Sequence, residues 1–313
     1  MRALVTGAGG FVGHYLVDAL RARGDEVFAC GGPSDVGTFT RIDLRDGEGL
    51  RAALDAARPD TVFHLAAQAF VPESIAAPLE TYDVNTFGTA RLTQAMRSYA
   101  AAGKKMPRLL FTSSAEVYGK CDAGDFPLRE THATNPANPY AASKAAAESI
   151  LLGEVRGFGL DAVIARSFNH IGPGQSDRFV VASFAAQLAR IARGGDAVLR
   201  VGNLEAKRDF LDVRDVVAAY LALAESGASG EIYNVCSGVA RPIRDALREL
   251  IIAAHTPVEV REDPARMRPS DVPLFVGDAA KLRKATGWEP HVPFRQSIRE
   301  IYVAAAGDSQ GRS

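Results

Sequence analysis

The stretch Ala3-Leu4-Val5-Thr6-Gly7-Ala8-Gly9-Gly10-Phe11-Val12-Gly13 constrains this chain more than any other. A short apolar run leads into glycines spaced G-x-x-G-x-x-G at Gly7, Gly10 and Gly13, and a helical pattern opens near Phe11. Such a turn lets backbone N–H groups approach a pyrophosphate, and the helix start turns its positive end toward it. Gly13, without a side chain, lets the helix pack close on the strand. The motif needs a strand before it and an amphipathic helix after it. Both are legible, the helix through Val12, Leu16, Ala19 and Leu20, with Gly24 where it should stop. An ordinary glycine loop is the competing reading.

The chain has 313 residues, 47% hydrophobic and 23% charged, which is enough for one large or two modest domains. A net charge of −1 implies no general pull toward nucleic acid or a membrane surface. Cys30, Cys121 and Cys236 lie far apart, so neither a metal site nor a disulfide framework is expected. The chain opens directly on a strand and has no apolar run of transmembrane length. A soluble cytoplasmic protein without a signal peptide is the expectation.

Strands and helices then alternate. A second strand runs from Glu26 to about Cys30. Where NAD-binding folds often carry an acid for the ribose 2′-hydroxyl, this chain has Gly31-Gly32, with Ser34 and Asp35 a little later. The missing acid removes a repulsion against a 2′-phosphate and favours NADP(H). No arginine follows closely in sequence, so NAD(H) stays open. Arg41 to Leu44 reads as a third strand ending in Asp43, followed by a helix over Gly47–Ala57 that Asp43 would cap. Thr61 to Ala67 reads as a buried strand running into Leu65, Ala66 and Ala67, small enough at its end for a ligand to approach. His64 on that strand reads as a structural histidine. Leu79–Ala102 is the longest helical pattern, interrupted by Asn85, whose amide is expected to tie adjacent strand ends together near a cofactor.

A strand ending in Ser113 and Ser114, an alanine-rich helix over Asn138–Val155 and a strand over Asp161–Arg166 complete a doubly wound parallel α/β sheet, a Rossmann arrangement. Past Ser167 glycine and proline become frequent and strands short. Residues 1–166 are expected to form the nucleotide-binding domain. Residues 167–313 should form mainly a smaller interleaved lobe that closes over a substrate, with a return to the main sheet near 209–237. The tail from Gly307 is expected to fray.

Tyr140-Ala141-Ala142-Ser143-Lys144 is the second strong signal. Four residues apart on a helix, Tyr140 and Lys144 share a face. An ammonium beside a phenol favours phenolate and should lower the tyrosine pKa from about 10, making Tyr140 a usable acid or base. Ser114, at the end of the preceding strand, is placed to hydrogen-bond the same substrate oxygen.

Together, Gly7–Gly13, Ser114 and the Tyr140/Lys144 pair resemble the extended short-chain dehydrogenase/reductase family over essentially the whole chain. The resemblance implies hydride transfer at a sugar carbon, with Tyr140 as acid/base, Lys144 on the nicotinamide ribose and Ser114 polarising the reacting oxygen. It also implies cofactor contacts along Gly7, Gly10, Phe11, Val12 and Gly13, an Asp43–Leu44 contact to adenine, and further contacts at Leu65, Ala66, Ala67 and Asn85. Arg166–Gln175 (RSFNHIGPGQ) is similar to a stretch of GDP-6-deoxy-4-keto-mannose reductases. Val201–Phe210 (VGNLEAKRDF) and Arg266–Val272 (RMRPSDV) resemble segments those reductases share with GDP-mannose 4,6-dehydratases. Asn169, Lys207, Arg208 and Arg268 would then bind a GDP-linked deoxyhexose, the cations at its diphosphate. A solvated basic turn is the plainer reading of Lys207 and Arg208.

The window Ser114-Ala115-Glu116 separates the two reactions. A 4,6-dehydratase needs a base for the C5 proton and an acid for the leaving hydroxyl, whereas a reductase only delivers hydride to C4 and a proton to its oxygen. Ala115 has no proton to give, which favours reduction of GDP-4-keto-6-deoxy-D-mannose, with GDP-D-rhamnose as product on resemblance alone. Glu116 is either a C5 base or a ligand of a substrate hydroxyl, and keeps the dehydratase as the alternative. An epimerase and a non-catalytic dinucleotide-binding regulator are the remaining readings. The family's usual homodimer would pair the long helix with the alanine-rich one.

Overall fold

The computed structural model describes residues 1–32, 39–267 and 272–307. Its first half alternates as the apolar pattern demands: β1 (Arg2–Thr6), α1 (Phe11–Ala22), β2 (Glu26–Gly31), β3 (Thr40–Arg41), α2 (Gly47–Ala57) and β4 (Thr61–His64). Two short helices, α3 (Val71–Ala76) and α4 (Pro78–Tyr82), lead through a π turn at Asp83–Phe87 into α5 (Gly88–Ala101). Next come β5 (Arg108–Ser114), a 3₁₀ turn at Ala115–Tyr118, α6 (Pro139–Phe158) and β6 (Ala162–Ser167).

The second half holds β7 (Asn169–Ile171), α7 (Val180–Ala192), β8 (Val198–Val201), β9 (Lys207–Asp212), α8 (Val213–Ser226) and β10 (Ile232–Val235). It ends with β11 (Ala240–Pro242), α9 (Ile243–Ala254), β12 (Glu259–Glu262), β13 (Leu274–Phe275), α10 (Ala280–Thr286) and α11 (Phe294–Gly307).

Seven parallel strands form the main sheet in the order β10-β6-β5-β4-β1-β2-β3. The order reverses between β1 and β4, so a crevice opens at their carboxyl ends, where open α/β sheets take ligands. Alternate side chains along each strand feed two cores. Val5, Phe63 and Leu110 pack with Leu16, Leu20, Val216 and Tyr220 of α1 and α8. Leu4, Val62 and Phe111 pack on the other face with Leu50, Leu54, Leu92, Met96 and Leu151 of α2, α5 and α6. The sheet is therefore a doubly wound Rossmann layer. A third core, with Phe184, Leu188, Leu199, Val201, Phe210, Leu247 and Ile298, belongs to the C-terminal half.

Three sequence expectations are corrected. The strand expected over Arg41–Leu44 is only Thr40–Arg41, because Ile42 and Leu44 turn into the core beneath α2 and α5. The pattern over Leu79–Ala102 is not one helix. The chain loosens into a π turn around Asn85, and the longest helix is instead the 20-residue α6. The strand expected to run from Thr61 to Ala67 stops at His64. The expected fraying falls on residues 308–313, outside the described residues, and Gly307 still closes α11.

Candidate active site

The glycine turn sits at the switch point. Gly7 adopts φ of +74°, and a Cβ there would lie 2.7 Å from Ala66 N, so turn and β4 exit touch directly. Gly10 N donates to Gly7 O at 3.0 Å, and Ala8 N to Cys30 O at 2.9 Å. A Cβ on Gly13 would come within 2.1 Å of Gly7 O, so only glycine lets α1 close on the strand. Gly10 caps α1 without a side-chain hydrogen bond, and no acid stands in the first turn. The first-turn N–H groups and the helix dipole thus present a donor face suited to a diphosphate. Phe11 and Val12 stand in that turn. The Phe11 ring turns toward the C-terminal half, stacking on His170 with centroids 6.0 Å apart.

Asp43 does not cap α2. Its carboxylate takes Arg45 through Nε at 2.9 Å and Nη2 at 2.6 Å, which holds its pKa below the ordinary value despite some burial. The cap is Asp46, whose side chain accepts from Gly49 N at 3.0 Å, three residues later in the chain than expected. Leu44 is buried against Gly88. Ser34, Asp35 and Arg268 lie outside the described residues.

At the β4 exit, Ala66 N donates to Thr6 Oγ1 at 3.3 Å, and Leu65, Ala66 and Ala67 are half-buried. Both ring nitrogens of His64 are engaged, with Thr6 Oγ1 at 2.8 Å and Thr89 Oγ1 at 3.1 Å. Burial, and then the charge of Lys144, push its pKa down to about 3, so His64 is a neutral structural group. Asn85 joins different parts than expected. Its Oδ1 accepts from Gln68 N at 2.8 Å, and its Nδ2 donates to Gln68 O and Ser143 Oγ, each at 2.9 Å. It therefore ties the loop after β4 to α6, not one strand end to another.

Asn138 caps α6 by accepting from Ala141 N at 2.8 Å, and Pro139 opens the first turn. This places Tyr140 beside the end of β5, near enough to the Ser114 side chain for the two to influence each other. Ser114 Oγ also accepts from Glu116 N at 3.2 Å. The expected drop in the Tyr140 pKa is reversed. Desolvation pushes it up to about 12, against the Ser114 hydrogen bond, and the Glu116 charge adds to the rise. Lys144 does not offset this, because its ammonium is directed elsewhere. Nζ donates to Thr112 O at 2.8 Å and sits 4.8 Å above the Phe111 ring. Burial lowers the Lys144 pKa to about 8, with Glu148 pulling the other way. Glu116 is exposed, and its Oε2 accepts from Asn138 Nδ2 at 3.3 Å.

One element escaped the sequence reading. Glu148, one turn beyond Lys144 on the same helix face, accepts from Ser113 Oγ and binds Arg166 of β6. Arg166 opens the Arg166–Gln175 stretch, yet its side chain is enclosed and stacks over Tyr118. A glutamate four residues after Lys144 and an arginine in the otherwise apolar run Ala162–Ser167 were the available signals.

The C-terminal half brings the remaining candidates together. Asn169 is exposed on β7, in register with Phe210 of β9, and Lys207 and Arg208 begin that same β9. Lys207 is exposed. Arg208 Nη1 donates to Lys207 O at 2.9 Å and Val272 O at 2.7 Å, which fixes the guanidinium at the strand start. The neighbouring Asp209 is wholly buried, accepting from Ser237 N and Oγ, Gly238 N and Gly277 N. It anchors this strand to the β10 exit. Tyr15 of α1 donates to Pro173 O at 2.9 Å, so the Gly172–Gln175 loop is held against the glycine-turn helix.

A family model described as GDP-mannose 4,6 dehydratase matches residues 4–301. The chain belongs to that family. Within it, the chain is 41% identical to the GDP-6-deoxy-D-mannose reductase of Pseudomonas aeruginosa, over 96% of this chain and 95% of that one. It is 30% identical to GDP-mannose 4,6 dehydratase 2 of Arabidopsis thaliana, over 95% of this chain and 84% of the relative. The solved structure of RMD from Pseudomonas aeruginosa, complexed with NADPH, superposes with a TM-score of 0.88 at 38% identity, covering 98% of this chain and all of that one. Among the described residues no group of ligating side chains forms a metal cluster, and no helix is long and apolar enough to cross a membrane.

Proposed function

We propose that this chain reduces the C4 ketone of GDP-4-keto-6-deoxy-D-mannose to a GDP-6-deoxyhexose, GDP-D-rhamnose, using NADPH in preference to NADH. Ala115 carries this reading. It is buried at the start of the 3₁₀ turn directly after Ser114, a methyl group where a dehydratase would need an acid for the departing hydroxyl. The higher identity to the Pseudomonas reductase than to the plant dehydratase supports it.

The residues present fit a dinucleotide, since the first turn of α1 has neither a side-chain cap nor an acid and Gly7 leaves room for close approach. When bound, the dinucleotide supplies the hydride for C4. Gly7, Gly10, Phe11, Val12 and Gly13 hold its diphosphate through backbone groups. Asp43 and Leu44 border the adenine, and Leu65, Ala66, Ala67 and Asn85 line the passage to Tyr140. NADP is favoured by Gly31-Gly32, which brings no carboxylate to the ribose, and by Arg41, which pairs with Gly31 across β2 and β3.

Tyr140, protonated at neutral pH by its raised pKa, donates a proton to the oxygen at C4 while Ser114 orients that oxygen. Lys144, largely protonated below about pH 8 and directed at the Thr112 carbonyl, holds the nicotinamide ribose. Asn169, Lys207, Arg208 and Arg268 bind the GDP portion. Glu116 binds a sugar hydroxyl. Its exposed place in the turn directly after Ser114 and Ala115 is also the observation that favours the second reading, a 4,6-dehydratase with Glu116 as C5 base.

We assign residues 1–166 with the return segments near 209–237 to the nucleotide lobe and the rest of 167–313 to the sugar-nucleotide lobe. We further propose a cytoplasmic homodimer. Three unpaired cysteines suit a reducing compartment, and α5 and α6 supply the helices for pairing. The test is NADPH absorbance with GDP-4-keto-6-deoxy-mannose, beside GDP-mannose with NADP⁺ watched for a keto sugar. NADPH oxidation in the first and no keto sugar in the second is expected. A keto sugar from GDP-mannose would make it a dehydratase. Dinucleotide binding without turnover of either would make it a regulator.

A further inference from the structure

We infer that Ser113 is a positioning residue for the proposed reduction: its hydrogen bond to Glu148 fixes where Ser114 stands against Tyr140. The inference rests on the proposed function for the reaction itself. Its own observations lie in the last three residues of β5 and one face of α6.

Tyr140, Lys144 and Glu148 follow one another at four-residue steps along α6 and share a face. Each meets a different residue at the end of β5. Lys144 Nζ donates to Thr112 O at 2.8 Å. Glu148 Oε1 accepts from Ser113 Oγ at 2.5 Å. Tyr140 lies near the Ser114 side chain. Successive turns of the helix are thus laid along three consecutive residues of the strand. The Lys144 contact uses a backbone carbonyl, which any residue at that place would offer. The Glu148 contact needs the hydroxyl of Ser113.

Side chains along a strand alternate between its two faces. Leu109 and Phe111 enter the core beneath α6, and Leu110 enters the opposite one. Ser113 continues the α6 face, so Ser114 leaves the strand on the other. Holding Ser113 therefore sets the direction in which Ser114 Oγ points. The acceptor is itself fixed. Arg166 pairs with Ser113 across β5 and β6, and it holds Glu148 Oε1 through Nε at 2.9 Å and Oε2 through Nη2 at 2.6 Å. An apolar side chain would satisfy packing here, as Leu109 and Phe111 do. A hydroxyl adds a preferred angle, which packing lacks.

Ser113→Ala removes the hydroxyl and leaves the Glu148–Arg166 pair intact, so no charge is stranded. Ser113→Thr keeps the hydroxyl. NADPH oxidation with GDP-4-keto-6-deoxy-mannose reads kcat and KM, fluorescence titration reads NADPH affinity, and urea unfolding reads stability. Ser113→Ala should lower kcat by about 10–100-fold with NADPH affinity and the sugar-nucleotide KM nearly unchanged, and Ser113→Thr should recover most of the loss. Ser113→Cys, close in size but a weak donor, replaces the Ala variant if that one does not fold. An unchanged kcat, whatever the stability, would make Ser113 a packing residue. A loss as large in the Thr variant, or NADPH affinity falling in step with kcat, would equally overturn the assignment. Each of these leaves the proposed function standing. Wild-type protein that does not oxidise NADPH with this substrate would remove both.

Discussion

Glu148 and Arg166 form a two-pronged ion pair, Oε2 to Nη2 at 2.6 Å and Oε1 to Nε at 2.9 Å, with each side chain only 4% exposed. The pair lies behind the candidate site, joining α6 to β6, and Ser113 Oγ donates to the same carboxylate at 2.5 Å. Removing one charge strands the other in the interior. Glu148→Gln is therefore expected to destabilise the fold by about 3–5 kcal/mol, measured by urea unfolding. The double variant Glu148→Leu/Arg166→Met should lose less than Glu148→Gln alone. A double variant that loses more would show that the pair contributes net stability beyond mutual neutralisation.

Tyr140 stands at the hydroxyl of Ser114, and its high pKa keeps the proton available at neutral pH. Tyr140→Phe should lower kcat by about 10²–10⁴ and leave NADPH affinity nearly unchanged, read by steady-state kinetics and fluorescence titration. Equal loss of both would make the ring a packing element.

His64 gives a pH signature of folding. Its pKa is about 3 in the folded chain, against about 6.5 unfolded. Below pH 6.5 the unfolded chain binds a proton that the folded chain does not, so stability falls as pH drops toward 3. The slope from this group is at most about 1.4 kcal/mol per pH unit. Unfolding of wild type and His64→Gln across that range should show a shallower acid loss in the variant. Parallel curves would mean that the imidazole charges within the folded state.

Arg41 and Gly31 are paired across β2 and β3, beside the end of β2 where the proposed reading puts the dinucleotide ribose. Arg41→Ala is expected to weaken NADPH by about tenfold or more and to leave NADH affinity alone, as followed by nucleotide fluorescence. Equal effects on the two would place the 2′-phosphate elsewhere.

These relationships differ in how far they could be read from residue order. The glycine turn and the Tyr140–Lys144 spacing are local patterns, set by three- and four-residue steps that a helix or turn converts directly into geometry. The parallel sheet followed from the same logic, because apolar runs alternating with amphipathic helices have few ways to bury both faces. Asp43 was misplaced as a cap because Asp43 and Asp46 are chemically equal candidates three residues apart. The structure decides between them, since Asp46 accepts from Gly49 N while Arg45 occupies the Asp43 carboxylate.

Sequence alone determined the fold class and the candidate residues carried on single turns of chain. The partners of those residues were decided only in three dimensions. Arg41 reaches Gly31 because two short parallel strands pair, although ten residues separate them. The Tyr140 pKa rises where the helix spacing suggested a fall, because Lys144 turns to the Thr112 carbonyl and burial outweighs the remaining contacts. Desolvation and long-range pairing depend on what surrounds a group after the chain has closed, and no local spacing encodes that.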